Sequence, residues 1–238
     1  MKTSNKLLLA AALMISAYCV ASAFALKKEY LKGDYKKRFY NMKQVKLADF
    51  DAVYADVPST NISIEYGPEY AIWGNKDLED IDITKKGKTL KIEMKPFAKP
   101  SNGYGYQIIV ICPELKSLKL GDKLDPQREL AINNEPWNNK INGSYNEIKG
   151  FKQAAMSVEV NNATYLTLIE NKLGNFNGAA SWGNLTLTRI NTIDSANIDI
   201  KSFCEFNIDN AAIKYPTYKF ANTAKVTVTG EALHLLKK

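Results

Sequence analysis

Leu166-Thr167-Leu168, Leu185-Thr186-Leu187, Ile198-Asp199-Ile200, Ala212-Ile213-Lys214 and Val226-Thr227-Val228 are five short runs in the second half of the chain, almost all of them alternating apolar and polar. Alternation of this kind is the period-2 mark of a half-buried strand. A triplet of polar, small and Ala character precedes each run: Asn161-Asn162-Ala163, Asn177-Gly178-Ala179, Asp194-Ser195-Ala196, Asp209-Asn210-Ala211 and Asn222-Thr223-Ala224. Asn and Asp close turns through their own side chains, so the triplets read as turns. Leu166, Leu185, Phe206 and Val226 follow one another at 19, 21 and 20 residues. Strands this short bury too little to order themselves singly, and a repeat near 20 residues lets them stack. The pattern predicts an all-β fold, a right-handed β-helix of short stacked strands. An antiparallel β-sandwich is the alternative, since it also places short strands at even spacing.

The first half carries the same signal. Asn61-Ile62-Ser63-Ile64-Glu65-Tyr66, Ile81-Asp82-Ile83-Thr84 and Thr89-Leu90-Lys91-Ile92-Glu93-Met94 alternate, with Lys85-Lys86-Gly87-Lys88 as a hairpin connection. Tyr106 to Cys112 is denser in apolar residues, as suits a strand buried on both sides, and Leu115, Leu118 and Leu120 follow it. Residues 45–123 therefore read as an N-terminal β portion and 151–238 as a C-terminal one. Between them, 124–150 is an Asn-rich excursion with Pro126, Pro136, Gly143 and Gly150.

The N-terminus has a different character. Residues 1–26 begin with Lys2 and Lys6 and continue from Leu7 to Leu26 without a charge, ending in Ala21-Ser22-Ala23 and Ala23-Phe24-Ala25. A basic start, an apolar stretch and small-x-small sites describe a signal peptide, and twenty apolar residues also suffice for a retained anchor. A basic linker over 27–44 follows. The chain has 238 residues and a net charge of +7. The first 26 residues contribute +2 and residues 27–38 contribute +4, which leaves +1 for 39–238. The basicity concerns membrane handling, through 7–26 and the stretch 27–38 beside anionic headgroups, and no nucleic-acid partner is expected. Six Lys and Arg after the apolar stretch against two before it run against export by the positive-inside rule, whereas the β portions suit an exported protein.

Three stretches resemble the putative auto-transporter adhesin family with the head GIN domain, found in envelope proteins of Gram-negative bacteria. They are Tyr70-Ala71-Ile72-Trp73-Gly74-Asn75 through Leu78 and Ile81 to Gly87-Lys88-Thr89-Leu90-Lys91-Ile92, then Gln107–Ile111 through Cys112-Pro113-Glu114-Leu115-Lys116-Ser117-Leu118-Lys119-Leu120, and then the polar-small-Ala triplets. The resemblance spans about residues 47–230. Asn or Asp stands where that family more often has Ser, and the turns carry few glycines. It implies an exported β-helical protein and names no ligand.

Catalytic motifs are absent from the sequence. His234 is the single histidine and stands near the C-terminus, so triad chemistry lacks its base. Phosphate-cradling glycine loops, H-E-x-x-H and C-x-x-C are missing, and neither cofactor nor metal is expected. Asp77, Glu79, Asp80 and Asp82 cluster, with Asp80 and Asp82 expected on one strand face, where acids also protect an edge. Cys112 and Cys204 read as buried thiols, a disulfide between them being the alternative. The candidate binding residues are aromatic: Trp137 in the Asn-rich excursion, Tyr104 and Tyr106 flanking Gly105, and Trp73, with Trp182 also able to stack. The expectation is a non-enzymatic protein of the envelope, in periplasm, outer membrane or cell surface, with a binding, adhesive or structural role toward a glycan or a protein. A carbohydrate-active enzyme on the same scaffold and a membrane-anchored accessory subunit are the rival readings.

Overall fold

A computed structural model of the chain describes residues 3–57, 60–75, 78–95, 106–121, 144–161, 164–188, 190–201 and 203–236. It divides into two compact units, Met1–Met42 and Lys43–Lys238. The first contains α1 (Thr3–Lys32), a helix long and apolar enough to cross a membrane. Its sequence has neither Gly nor Pro before Gly33, so nothing stops the helix at residue 26, and it continues through Lys27, Lys28 and Glu29. Gly33 ends it with φ 68°, the left-handed residue that closes many helices, and donates its N–H to Tyr30 O at 3.1 Å.

The rest is β. The strands are β1 (Met42–Val45), β2 (Ala52–Asp56), β3 (Thr60–Tyr66), β4 (Ala71–Asn75), β5 (Ile81–Lys86), β6 (Thr89–Met94), β7 (Tyr106–Cys112), β8 (Ser117–Leu120) and β9 (Tyr145–Lys149). They continue as β10 (Lys152–Asn161), β11 (Tyr165–Ile169), β12 (Lys172–Ser181), β13 (Asn184–Leu187), β14 (Thr192–Ile200), β15 (Glu205–Asp209), β16 (Ala212–Phe220) and β17 (Lys225–Thr229). One sheet has nine strands in the order β1-β4-β7-β3-β9-β11-β13-β15-β17. The other has eight, β16-β14-β12-β10-β8-β2-β6-β5. From β9 onward the strands alternate between the sheets, and each sheet stays parallel there.

The expected right-handed β-helix is corrected by this arrangement. The strands form two large mixed sheets, with β4 antiparallel to β7 and β5 antiparallel to β6, and they do not close into a solenoid. A two-layer reading, the sandwich alternative, fits better, although parallel neighbours dominate its C-terminal half. The 20-residue spacing reports register instead of closure: Leu166 pairs with Leu185, Leu185 with Phe206 and Phe206 with Val226. Residues 144–150, assigned from sequence to the Asn-rich excursion, hold the strand β9; residues 122–143 lie outside the described residues.

Inward-facing side chains from both sheets make one core. Ile62, Ile64, Ile108, Val110, Ile148, Leu166, Leu168, Leu185, Leu187 and Phe206 come from the nine-stranded sheet, with Val53, Leu90, Leu118, Val158, Phe176 and Ile198 from the other. Fully burying each such side chain contributes roughly 1.5–3 kcal/mol. Two of the expected turn triplets lie inside strands, Asn177-Gly178-Ala179 in β12 and Asp194-Ser195-Ala196 in β14. Their small residues serve the core: a Cβ on Gly178 would stand 2.8 Å from Phe176 and 2.9 Å from Leu185.

The turns that leave the nine-stranded sheet form a column, and of the expected triplets Asp209-Asn210-Ala211 falls on it, at Asn210. Gly150, Glu170, Ile190, Asn210 and Gly230 all have positive φ, between 55° and 81°, and each follows a strand of the nine-stranded sheet. The next residue turns inward, so Phe151, Asn171, Asn191 and Ala211 are buried. Asn171 Oδ1 accepts from Phe151 N–H at 3.0 Å, and Asn191 Oδ1 accepts from Asn171 N–H at 3.0 Å. The amide nitrogens donate backward, Asn171 Nδ2 to Ile148 O at 3.0 Å and Asn191 Nδ2 to Leu168 O at 2.7 Å. At the far edge, β16 tolerates Pro216 because an edge strand needs no donor on its outer side.

Ile190 is β-branched, 67% exposed and held at φ 68°, a conformation that costs such a residue about 1–2 kcal/mol. Ile190→Gly is expected to raise the unfolding free energy in urea by roughly 0.5–1 kcal/mol after glycine's own entropy cost. A loss of stability there would contradict the strain assigned to this turn.

Candidate binding surface

The described candidates from sequence point to opposite faces. Trp73 on β4 pairs with Ile109 on β7, flanked by the buried Ile72 and Gly74, so it lies half-buried on the outer face of the nine-stranded sheet. Ile109, on that same outer face, is 6% exposed, which makes β7 buried on both sides where Trp73 neighbours it. Tyr106 has the inward parity of Ile108 and Val110, packs against the core and donates its hydroxyl to Asp80 Oδ2 at 3.2 Å. The fold does not bring Trp73 and Tyr106 together. Tyr104 and Trp137 lie outside the described residues.

The acidic cluster is not a converging pair. Asp80 ends a 3-10 turn, Leu78–Asp80, instead of sharing a strand face with Asp82. Asp82 is exposed on the edge strand β5, with Lys95 Nζ 3.9 Å away; Asp77 is outside the described residues. Asp34 and Asp49 are held below the ordinary carboxylate range by hydrogen bonds from Lys37 and Lys88, the direction opposite to that of a general acid. His234 is exposed in the last 3-10 turn, its Nδ1 2.5 Å from Glu231 O. Among the described residues no three His, Cys, Asp or Glu side chains are grouped to hold a metal.

Sequence reading missed the most ordered aromatic pair. Tyr145 and Tyr165 are cross-strand partners on β9 and β11 and stack with ring centroids 4.9 Å apart and planes 14° from parallel. Tyr145 is 66% exposed. Below the pair, the buried Asn146 accepts from Ile62 N–H at 3.0 Å and donates to Tyr165 O at 3.2 Å, while Asn61 Oδ1 accepts from Tyr145 N–H at 2.9 Å. The buried Asn146 thus holds the Tyr165 carbonyl from inside the sheet, and the exposed Asn61 holds the Tyr145 N–H from the outer face. The available sequence signal was the match between Tyr145 and Tyr165 at the 20-residue period, hidden because β9 falls in the Asn-rich range.

The stack opens a set of parallel rows on the same outer face. Tyr145, Tyr165, Asn184, Glu205 and Lys225 form one, with Lys225 Nζ 2.8 Å from Glu205. Beside it run Ser63, Glu147, Thr167, Thr186, Asn207 and Thr227. A second aromatic pair sits at the turns from β12 to β13 and β14 to β15: Trp182 and Phe203 stack at 5.7 Å, both with positive φ, 62° and 59°. Trp182 N–H donates to Cys204 Sγ at 3.0 Å, so this pair is tied to the core by a thiol.

No family model matches this chain, and no curated protein matches it either. Solved structures do. A putative adhesin from Bacteroides fragilis is 12% identical with a TM-score of 0.44, covering 79% of this chain and 96% of its own. A putative adhesin from Parabacteroides merdae is 13% identical with a TM-score of 0.45, covering 79% and 95%. A putative lipid binding protein from Parabacteroides distasonis is 12% identical with a TM-score of 0.40, covering 79% and 96%. At TM-scores of 0.40–0.45 the likeness assigns neither a fold family nor a role to this chain. It reaches neither the GIN domain nor the auto-transporter assignment, and it identifies no ligand.

Cys112 and Cys204 are buried thiols that form no disulfide with each other. Burial pushes the Cys112 thiol up to about 12 and the Cys204 thiol upward, the latter opposed by backbone hydrogen bonds from Gly183, Trp182 and Lys201. Both are expected to resist a thiol reagent at pH 8 in the native protein and to react once it is unfolded in urea. Because the unfolded thiols ionise near pH 8.5, their protonated burial should cost stability as pH rises above that value toward 12, measured as a falling urea midpoint. Rapid native labelling at both sites would contradict the burial.

Proposed function

We propose that this chain is an exported, non-enzymatic binding protein of the bacterial envelope. The observation that carries the reading is the division of labour across the nine-stranded sheet: the inner face is a continuous apolar core, and the outer face holds aligned aromatic, hydroxyl and amide side chains on a fixed backbone. Such a surface recognises by complementarity and supplies no proton transfer at a tuned group. Asp80 and Asp82, which an enzymatic reading would need, are individually engaged by Tyr106 and Lys95. The apolar α1 supports export, with delivery to periplasm, outer membrane or cell surface. Its unbroken course past Ala23 and Ala25 favours a second form of the same reading, in which α1 is retained as an anchor for an accessory subunit. The basic residues of 27–38 would then lie against anionic headgroups.

The test is topology. Full chain carrying a C-terminal tag, produced in a Gram-negative host, should be digested by protease added to spheroplasts, and mass spectrometry of its N-terminus should show Phe24 or Leu26 if α1 is cleaved, Met1 if it is retained. Protection of the tag until the cytoplasmic membrane is broken would overturn export.

A further inference from the structure

We propose that the Tyr145–Tyr165 stack and the polar row beside it form a site for a neutral oligosaccharide. The inference rests on the binding reading above and gives that surface a ligand class.

Three features argue for it. Tyrosine offers a large apolar ring at low entropy cost, and the apolar C–H faces of a sugar ring are its natural complement. In the register, the strand on the open side of Tyr145 is β3, which contributes the short side chains Asn61 and Ser63, so no bulky neighbour follows the stack there. Tyr145 stands 66% exposed while its N–H donates to Asn61 Oδ1 and the buried Asn146 next to it donates to the Ser144 carbonyl. Little ordering therefore remains to be done on binding.

The second feature is the chemistry of the adjoining row. Thr167, Thr186 and Thr227 present hydroxyl groups, which donate and accept as sugar hydroxyls do, while in the same row Ser63 donates to Glu65 Oε1 at 3.2 Å and Asn207 Nδ2 to Thr186 Oγ1 at 3.5 Å. Parallel strands repeat these groups at about 4.8 Å, so one row can meet successive polar groups along an extended chain.

Charge decides between neutral and acidic glycans. Glu147 is the single ionised side chain in that row, and in the row headed by Tyr145 the charges of Glu205 and Lys225 are paired at 2.8 Å. Glu65 and Lys149, partners in the next row, also offset each other. This face gives an anionic polymer no net attraction, and Glu147 repels it beside the stack.

The experiment is isothermal titration of the full chain in detergent with neutral hexasaccharides of glucose, mannose and galactose units, and with a uronic-acid hexasaccharide. At least one neutral oligosaccharide should bind and the acidic one should bind more weakly. Tyr145→Ala should weaken binding about tenfold or more, and Tyr145→Phe should retain it, because the ring carries the contact. Tyr215→Ala removes an equally prominent tyrosine, 63% exposed on the other sheet, and should leave affinity unchanged. Unaltered circular dichroism for each variant separates lost binding from lost fold. Binding that Tyr145→Ala leaves intact, preference for the uronate, or silence across the neutral set would overturn this assignment. The spheroplast result is independent of all three outcomes, so a failed ligand class is distinguishable from failed export.

Discussion

A buried amide at a left-handed turn is the interaction on which the C-terminal half depends. Leaving β9, β11, β13 and β15, the chain passes through a residue at positive φ and then turns a side chain inward, at Phe151, Asn171, Asn191 and Ala211. At Asn171 and Asn191 that side chain bonds to the backbone of the preceding layer. The turn exposes backbone donors and acceptors where water cannot reach them, and an unsatisfied one costs about 1–3 kcal/mol. The asparagines satisfy these groups and at the same time tie layer to layer. Their amides therefore set register as well as stability.

Register is what the outer surface inherits. With Leu166 against Leu185 and Leu185 against Phe206 inside, the intervening residues align outside, and Thr167, Thr186, Asn207 and Thr227 fall in one row. A slip of one residue would send this row into the core and the leucines into water. The apolar interior and the polar array are thus two consequences of one alignment. Asn146 does for the tyrosine stack what Asn171 and Asn191 do for the turns: a buried amide holds the backbone from which an exposed ring projects.

Much of this was readable in the sequence. The period-2 runs locate most of the strands, and the 19, 21 and 20 spacing of Leu166, Leu185, Phe206 and Val226 names true cross-strand partners. Spacing does not say whether stacked strands close on themselves, and the β-helix expectation went past what a period contains. Asp209-Asn210-Ala211 and Asn222-Thr223-Ala224 do lie at turns, and the other turns were misread for a physical reason. Glu170 and Ile190 carry no turn signal, since neither residue type favours positive φ, yet both occupy it. Asn177-Gly178-Ala179 looks like a turn because small residues serve turns, but Gly178 is small to admit Phe176, Leu185 and Ile198. Asn171 and Asn191, polar and wholly buried, were invisible for the same reason: a buried amide and a surface amide are the same letter. Of the aromatic candidates, Trp73 was placed by its strand on an outer face, whereas Tyr106 turned inward to Asp80. The Tyr145–Tyr165 stack needed the register of β9, which its Asn-rich surroundings concealed.

The central claim is that buried amides, and not turn propensity, fix the layers. It is tested most directly by the unfolding free energy in urea of Asn191→Ala beside Asn177→Ala, the latter an exposed asparagine on β12. The account predicts a loss of about 1–3 kcal/mol for Asn191→Ala, which leaves the Asn171 N–H without its acceptor, whereas the Leu168 carbonyl keeps the Thr188 N–H and hydroxyl. Asn177→Ala should stay within about 0.5 kcal/mol of the parent chain. Equal, small effects at both positions would contradict it.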